Sequence, residues 1–236
     1  MGPHDGPPVP PLNLVGNFGG GGMLIVAGLL AALVERAGSG RGQLVDAAMV
    51  DGASLLLTQI FAWSQMGIWR AGRGGNLLDG SAYFYRCYET ADAKFLAVGA
   101  LDSEFHAEFL RGLDLDPGDY GDHLNPVHWE ARSTRISAIV RQRSQAEWLD
   151  IFDTRDACVT PVLSPDEAVD YPPKVMRNVH GDAGMGMRPA PAPRFGRTPS
   201  HGPDAVAFGM RESLRSWKID TARIDRLIGQ QLVAMD

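Results

Sequence analysis

The sequence predicts a protein of mixed α and β structure. Two long apolar stretches have helical spacing, two short runs of strand composition stand close enough to pair, and amphipathic helices follow them. The 236 residues suffice for one to two domains, and 44% hydrophobic with 21% charged residues is ordinary for a chain with a real core.

The elements follow in order. Gly2 to Pro11 is loop, because its prolines lack donors and bias their neighbours to extended geometry. Leu12 to Gly16 reads as a short extended piece. Gly19-Gly20-Gly21-Gly22 then opens a helix, MLIVAGLLAALVER, that is apolar almost all round, the pattern of a buried helix. Gly38-Ser39-Gly40 ends it. Gln43 to Ala47 reads as a short strand, and Met49 to Gly67 as a second apolar helix with Met49 and Met66 in the core. Arg70 to Gly80 is a Gly-rich linker. Tyr83 to Glu89 and Lys94 to Gly99 make a β-hairpin whose turn lacks the glycine that a tight turn prefers. Helices are expected over Ser103 to Arg111, Trp129 to Arg143 and Ala146 to Phe152, and a strand over Cys158 to Leu163 with Cys158 as a core residue. Ser164 is a good N-cap before Pro165. Tyr171 to Pro203 has no period and reads as extended coil, and Asp220 to Met235 as a closing helix.

Composition excludes several functions. A net charge of −6 argues against nucleic acid as the main partner. Two cysteines, Cys87 and Cys158, exclude a disulfide framework and a cysteine zinc cluster. The six histidines (His4, His106, His123, His128, His180 and His201) form no HxxxH pair, so no metal is expected. The apolar run Met23 to Val34 is about a dozen residues, short of the roughly 20 that span a bilayer, and follows no basic leader. The expectation is a soluble, cytoplasmic protein with no membrane span.

The strongest site-like feature is the glycine run at a helix entry. Unpaired N–H groups there favour an anion, and glycines admit a ligand close to the backbone. A helix entry packed against another backbone is the alternative. Asn17 just before it, and Asp102 at the start of a later helix, are ordinary capping positions. Arg188, Arg194 and Arg197 could hold a phosphate or be solvated.

Several stretches read together are more specific. PPLNLVGNFGGGGM, AALVERAGSGRGQLVDAAMVDGASLL, GGNLLDGSAYFYRCYETADAKFLAVGALDSEF, DACVTPVLSPDEA and PAPAPRFGRTPS occur in this order. Together they resemble the family III CoA-transferase superfamily, in its α-methylacyl-CoA racemase branch, over Val9 to about Ser200. The match corresponds to the C-terminal two-thirds of a member, so the Pro- and Gly-rich opening reads as a mid-protein loop.

The resemblance implies an α/β fold: an incomplete Rossmann-like large-domain portion plus a smaller α+β domain, in a family of interlocked dimers. The implied division is 1–47 for the partial CoA-binding domain, 48–80 for a helical linker, 81–163 for the small domain, and 164–236 for a segment returning to the large domain. It implies epimerisation of a 2-methyl-branched acyl-CoA through an enolate, with coenzyme A as part of the substrate and no other cofactor. Asn17 occupies the position of the family's motif aspartate, and Asp102 that of its small-domain acid. Gly19, Gly20 and Gly21 fall at the oxyanion wall, and Leu78, Tyr85 and Leu101 near the acyl pocket. The upstream catalytic histidine has no counterpart, His4 being in the opening loop. An amide is no general base, so an impaired racemase is expected. A non-catalytic acyl-CoA-binding subunit, pairing as a homodimer or with a family N-terminal half, and a family III CoA-transferase are the alternatives. Alone, the Met23 to Val34 helix should expose apolar surface.

Overall fold

The computed structural model describes residues 6–70, 72–182, 187–200 and 210–230. His4 and His201 lie outside the described residues. Two compact units, Met1–Val162 and Leu163–Asp236, make up the chain.

The first unit begins with a π-helix, Leu14–Met23, that continues without a break into α1, Leu24–Ser39. The wide turns show in the Phe18 N–H bond to the Asn13 carbonyl, five residues back, at 3.1 Å. Leu12 to Gly16 is therefore turn and helix, not extended. The cause is tertiary. Gly20 packs backbone to backbone on Gly52 of α2, Met49–Leu56, and this contact holds the glycine run helical. The joined helix of 26 residues is long and apolar enough to cross a membrane by length and composition, which the apolar run alone was not. A core helix passes the same test.

Gly40 ends α1 in the left-handed region, φ 74°, its N–H on the Arg36 carbonyl at 2.8 Å. Gln43 to Ala47 forms no strand. It lies along α1, with Val45 Cγ1 only 2.9 Å from where a side chain at Gly28 would begin, and no neighbouring strand offers a ladder. The predicted second helix is broken at Leu57 (φ −90°, ψ 6°) into α2 and α3, Thr58–Gln65. The Ser54 hydroxyl donates to Val50 O at 2.9 Å and the Thr58 hydroxyl to Leu55 O at 2.6 Å, competing with the helical ladder.

These helices are not buried, and the Met23 to Val34 helix exposes apolar surface as expected of the chain alone. Among the described residues α1 has no buried side chain, Val34 is 76% exposed, and Met49 and Met66 are exposed. An apolar helix needs neighbours on every side; the 43–47 segment lies against α1 at Gly28, and α2 packs on the preceding π-helix.

The rest of the unit has a true core. Strands β1 (Tyr85–Glu89), β2 (Phe95–Gly99) and β3 (Val159–Val162) form an antiparallel sheet in the order β1-β2-β3. Tyr85 pairs with Gly99, Cys87 with Ala97, and Ala97 with Thr160. The turn without glycine works because Ala93 adopts φ 58°, held by the Thr90 hydroxyl on Asp92 and by Gln145 N on the same carboxylate. Helices α4 (Ser103–Gly112), α5 (Trp129–Val140) and α6 (Gln145–Phe152) build one core with Tyr88, Leu96 and Val98 through Phe109, Leu110, Ile136, Val140 and Trp148. Period-2 alternation sends Tyr85, Phe95 and Val162 to the other face, where they stay partly exposed. Cys158 is exposed rather than core, because β3 starts one residue later and Cys158 takes a bend at φ 50°.

A polar cluster sits inside this core. The rings of His106 and His123 stack at 4.4 Å, and His106 Nε2 lies 2.7 Å from the Tyr83 hydroxyl. Arg132 also donates to that hydroxyl at 3.3 Å. Burial, then His123 and Arg132, depress the His106 pKa from 6.5 to about 4. The folded state thus resists a proton that the unfolded chain accepts. Stability is full above about pH 6.5 and falls as pH drops towards 4. Denaturant unfolding at several pH values should show this decline, and His106→Gln should flatten it.

The second unit is built by itself. Helices α7 (Glu167–Asp170) and α8 (Pro172–Met176) precede a hairpin of β4 (His180–Asp182) and β5 (Met187–Pro189). The stretch expected as extended coil thus holds a short helix begun by proline, and a strand pair. Ser164 and Glu167 bond each other reciprocally at 3.2 and 3.0 Å around the turn before α7, whose N-cap position is taken by Asp166 rather than Ser164. After α9 (Met210–Ser216), Asp220 caps α10 (Thr221–Gly229) through Arg223 N at 2.8 Å. Arg194 donates to the Arg177 and Asn178 carbonyls through Nη2.

Candidate active site

Tyr85 opens β1 opposite Gly99, and Leu101 and Asp102 follow directly where β2 hands over to α4. Hydrogen-bonded pairing therefore places all three at one end of the sheet. Asp102 holds the N-cap position (φ −75°, ψ 149°), but its side chain makes no cap bond and stays exposed. The capping explanation for this acid thus does not hold. Leu101 is packed on the core, and its carbonyl accepts from His123 Nε2 at 2.9 Å.

The open face of the sheet carries a cavity of about 560 Å³ lined by Tyr85, Cys87, Ala97, Gly99, Cys158 and Thr160. Small residues on the central rows make its floor. Burial first, then the charges of Asp156 and Asp102, raise the Cys158 thiol pKa. The field of Asp102 therefore reaches this cavity wall. An apolar chain could lie on the floor with a carboxylate at its end, an arrangement suited to proton transfer.

Leu78 is half-buried in the Gly-rich loop and does not line that cavity. That loop is ordered by buried Asn76 and by Asp79, whose carboxylate accepts from Gly74 N at 3.0 Å and Ser81 N at 3.2 Å.

Asn17 lies within the π-helix, exposed, and its side chain caps nothing. A side chain at Gly19 would meet Leu56 Cδ1 at 3.2 Å, at Gly20 the Ala53 nitrogen at 2.8 Å, and at Gly21 Met49 Cγ at 3.1 Å. Close packing on α2 accounts for these glycines. The helix starts at Leu14, so its unpaired N–H groups precede the glycine run. The structure brings together Tyr85, Leu101 and Asp102. It does not bring Asn17 and the glycines to them, and no cavity described here draws on both groups. Among the described residues, no group of three or more His, Cys, Asp or Glu could hold a metal ion.

Sequence reasoning missed Cys87, Cys158 and Arg86 as cavity residues. Strand alternation puts Tyr85 and Cys87 on one face and was the available signal. The strand over Cys158 to Leu163 was expected, but its pairing with β2, which brings Cys158 there, was not readable.

Residues 1–205 match the description CoA-transferase family III. The chain is 41% identical over 194 residues to the mouse (Mus musculus) protein named α-methylacyl-CoA racemase, covering 82% of this chain and 51% of that one. To the human (Homo sapiens) protein of the same name it is 36% identical over the same shares. The chain thus spans about half the length of these curated relatives. Its backbone resembles a hypothetical protein of Mycobacterium tuberculosis at TM-score 0.64 and 17% identity, covering 86% of this chain and 54% of that one. A CaiB/BaiF family protein of Brucella suis gives TM-score 0.64 at 16% identity, with 84% and 53% covered. With a family match over most of its length and this likeness in fold, the chain belongs to CoA-transferase family III, in its α-methylacyl-CoA racemase branch.

Proposed function

We propose that this chain takes part in proton transfer at the α-carbon of a 2-methyl-branched acyl-CoA. The observation that carries this is the uncapped Asp102 carboxylate beside the Tyr85 cavity, in a chain so similar to α-methylacyl-CoA racemases. A base removes the α-proton, the electron pair moves onto the thioester oxygen as an enolate, and a proton returns to either face of the carbon. Asp102 is one acid/base group. Tyr85 and Leu101 border the acyl chain, while Leu78 and the helix entry at Gly19, Gly20 and Gly21, which lie away from that cavity within one chain, complete the acyl and enolate walls only from a second chain. Coenzyme A enters as part of the substrate, with no further cofactor, and the setting is cytoplasmic. The second acid/base position holds Asn17, whose amide takes no proton near neutral pH, so turnover is impaired.

Exchange of the α-proton of 2-methylacyl-CoA in deuterated water tests this. The unaltered chain should exchange slowly, and Asp102→Asn should remove what exchange there is. Fast exchange that survives Asp102→Asn would overturn the assignment.

The exposed faces of α1, α2 and α3 favour a second reading, a subunit that binds acyl-CoA only when another chain covers those faces. That chain is a second copy or a family N-terminal half. Sedimentation showing a stable lone monomer would sink it. CoA transfer is the weaker alternative, since Asn17 also replaces that branch's nucleophile.

A further inference from the structure

The groove between the Gly-rich loop and α5 holds a cation without an anion. Arg86 follows Tyr85 on β1, and strand alternation turns it to the helix-covered face, its guanidinium carbon 5.3 Å from the centre of the Tyr88 ring. Its Nε is sealed from solvent with no acceptor, and among the described residues the Arg86 side chain makes no ion pair or hydrogen bond. Burying part of a guanidinium without a counter-charge is costly.

Two carboxylates line the groove, and neither supplies that charge. Asp79 is committed to the loop's N–H groups: Gly74, Asn76 and Ser81 donate to it at 3.0 to 3.3 Å. Glu130 is exposed on α5 and makes no bond to Arg86. Ser133, 5% exposed, lines the same groove, with its hydroxyl beside that of Tyr88, which itself donates to Tyr83 O at 2.6 Å. The groove encloses about 660 Å³, and glycines 74, 75 and 80 leave its wall without side chains.

We propose that this groove binds a phosphate group, held by the planar fork of Arg86 and the Ser133 hydroxyl, with Arg70 at the rim. A guanidinium takes two oxygens of a tetrahedral oxyanion at once, and the bare glycine wall lets that anion approach. The phosphate is either free or the terminal ester of a coenzyme A thioester. The second source rests on the acyl-CoA reading above, and the first does not.

The test follows the Arg86 Nε–H resonance, and in every variant the backbone N–H resonances of Gly74, Gly75 and Gly80 on the groove wall, in the ¹⁵N-labelled chain while inorganic phosphate, coenzyme A or dephospho-coenzyme A is added. A saturable shift with phosphate is expected, weakened about tenfold or more by Arg86→Gln and several-fold by Ser133→Ala. Coenzyme A binding more tightly than both phosphate and dephospho-coenzyme A assigns the site to its terminal phosphate. Phosphate binding with no preference for coenzyme A supports a free-phosphate site, whatever becomes of the acyl-CoA reading. If Arg86→Gln does not fold, Arg86→Lys keeps the charge and loses the fork, and unchanged affinity in it would overturn the proposal. So would the absence of a saturable shift with every probe, or a resonance that moves only on Glu130→Gln, which would mean that Glu130 is the partner.

Discussion

Asn17→Asp should raise α-proton exchange of 2-methylacyl-CoA by about 10² to 10⁴-fold over the unaltered chain, each assayed with a family N-terminal half supplied. The amide of Asn17 is exposed and bonded to nothing, so the swap changes chemistry without touching packing. A carboxylate of nearly identical shape then offers the proton site that the amide lacks. Stability should stay within about 0.5 kcal/mol, as for an ordinary surface change. Stereochemistry sharpens the reading. With one acid/base group, label returns mainly to the face it left, and with two it appears on both. An Asn17→Asp chain no faster than its parent would show that residue 17 does not act in the reaction.

Gly52→Ala should be the most disruptive single methyl group in the chain. A side-chain carbon at Gly52 would stand 1.9 Å from the Gly20 carbonyl oxygen and 2.7 Å from its α-carbon. These are backbone atoms, so no rotamer change relieves the clash, and the helices must part. Overpacking of this kind costs about 1–3 kcal/mol, occasionally more. The π-helical stretch should loosen too, because this contact keeps it wound. Gly38→Ala is the matched control. It is in α1 with nothing within 4 Å of the new carbon, so alanine's helix preference should stabilise by up to about 1 kcal/mol. Urea unfolding and amide exchange over residues 14–39 would separate the two. Equal, small effects would refute the contact.

Local patterns made much of the three-stranded sheet and its helices readable. Alternation over Tyr85–Glu89 and Phe95–Gly99, and helical spacing of Ile136 and Val140, give the same answer at every scale, and the core forms where they meet. The glycine run was legible as unusual and not in its role. A glycine admits both a ligand and another backbone, and only the position of α2 decides between them. The unpartnered segment Gln43 to Ala47 failed as a strand for a similar reason, because β propensity is satisfied only by a neighbour.

At the site, residue types in order were enough to place Asn17, Tyr85, Leu101 and Asp102 in a family and to mark the amide where an acid is expected. What side chains touch lay beyond sequence. Asp102 could have capped its helix, and Arg86 could have found a carboxylate. Both stand free because the nearest partners are turned away or committed elsewhere. Sequence alone determined the family and the helix and strand periods, since these depend on residue identity and local spacing. Tertiary structure alone decided which glycines are packed, which face of the sheet lies open and which charges are unpaired. Those depend on distances between segments far apart in the chain, and local propensity carries no term for them.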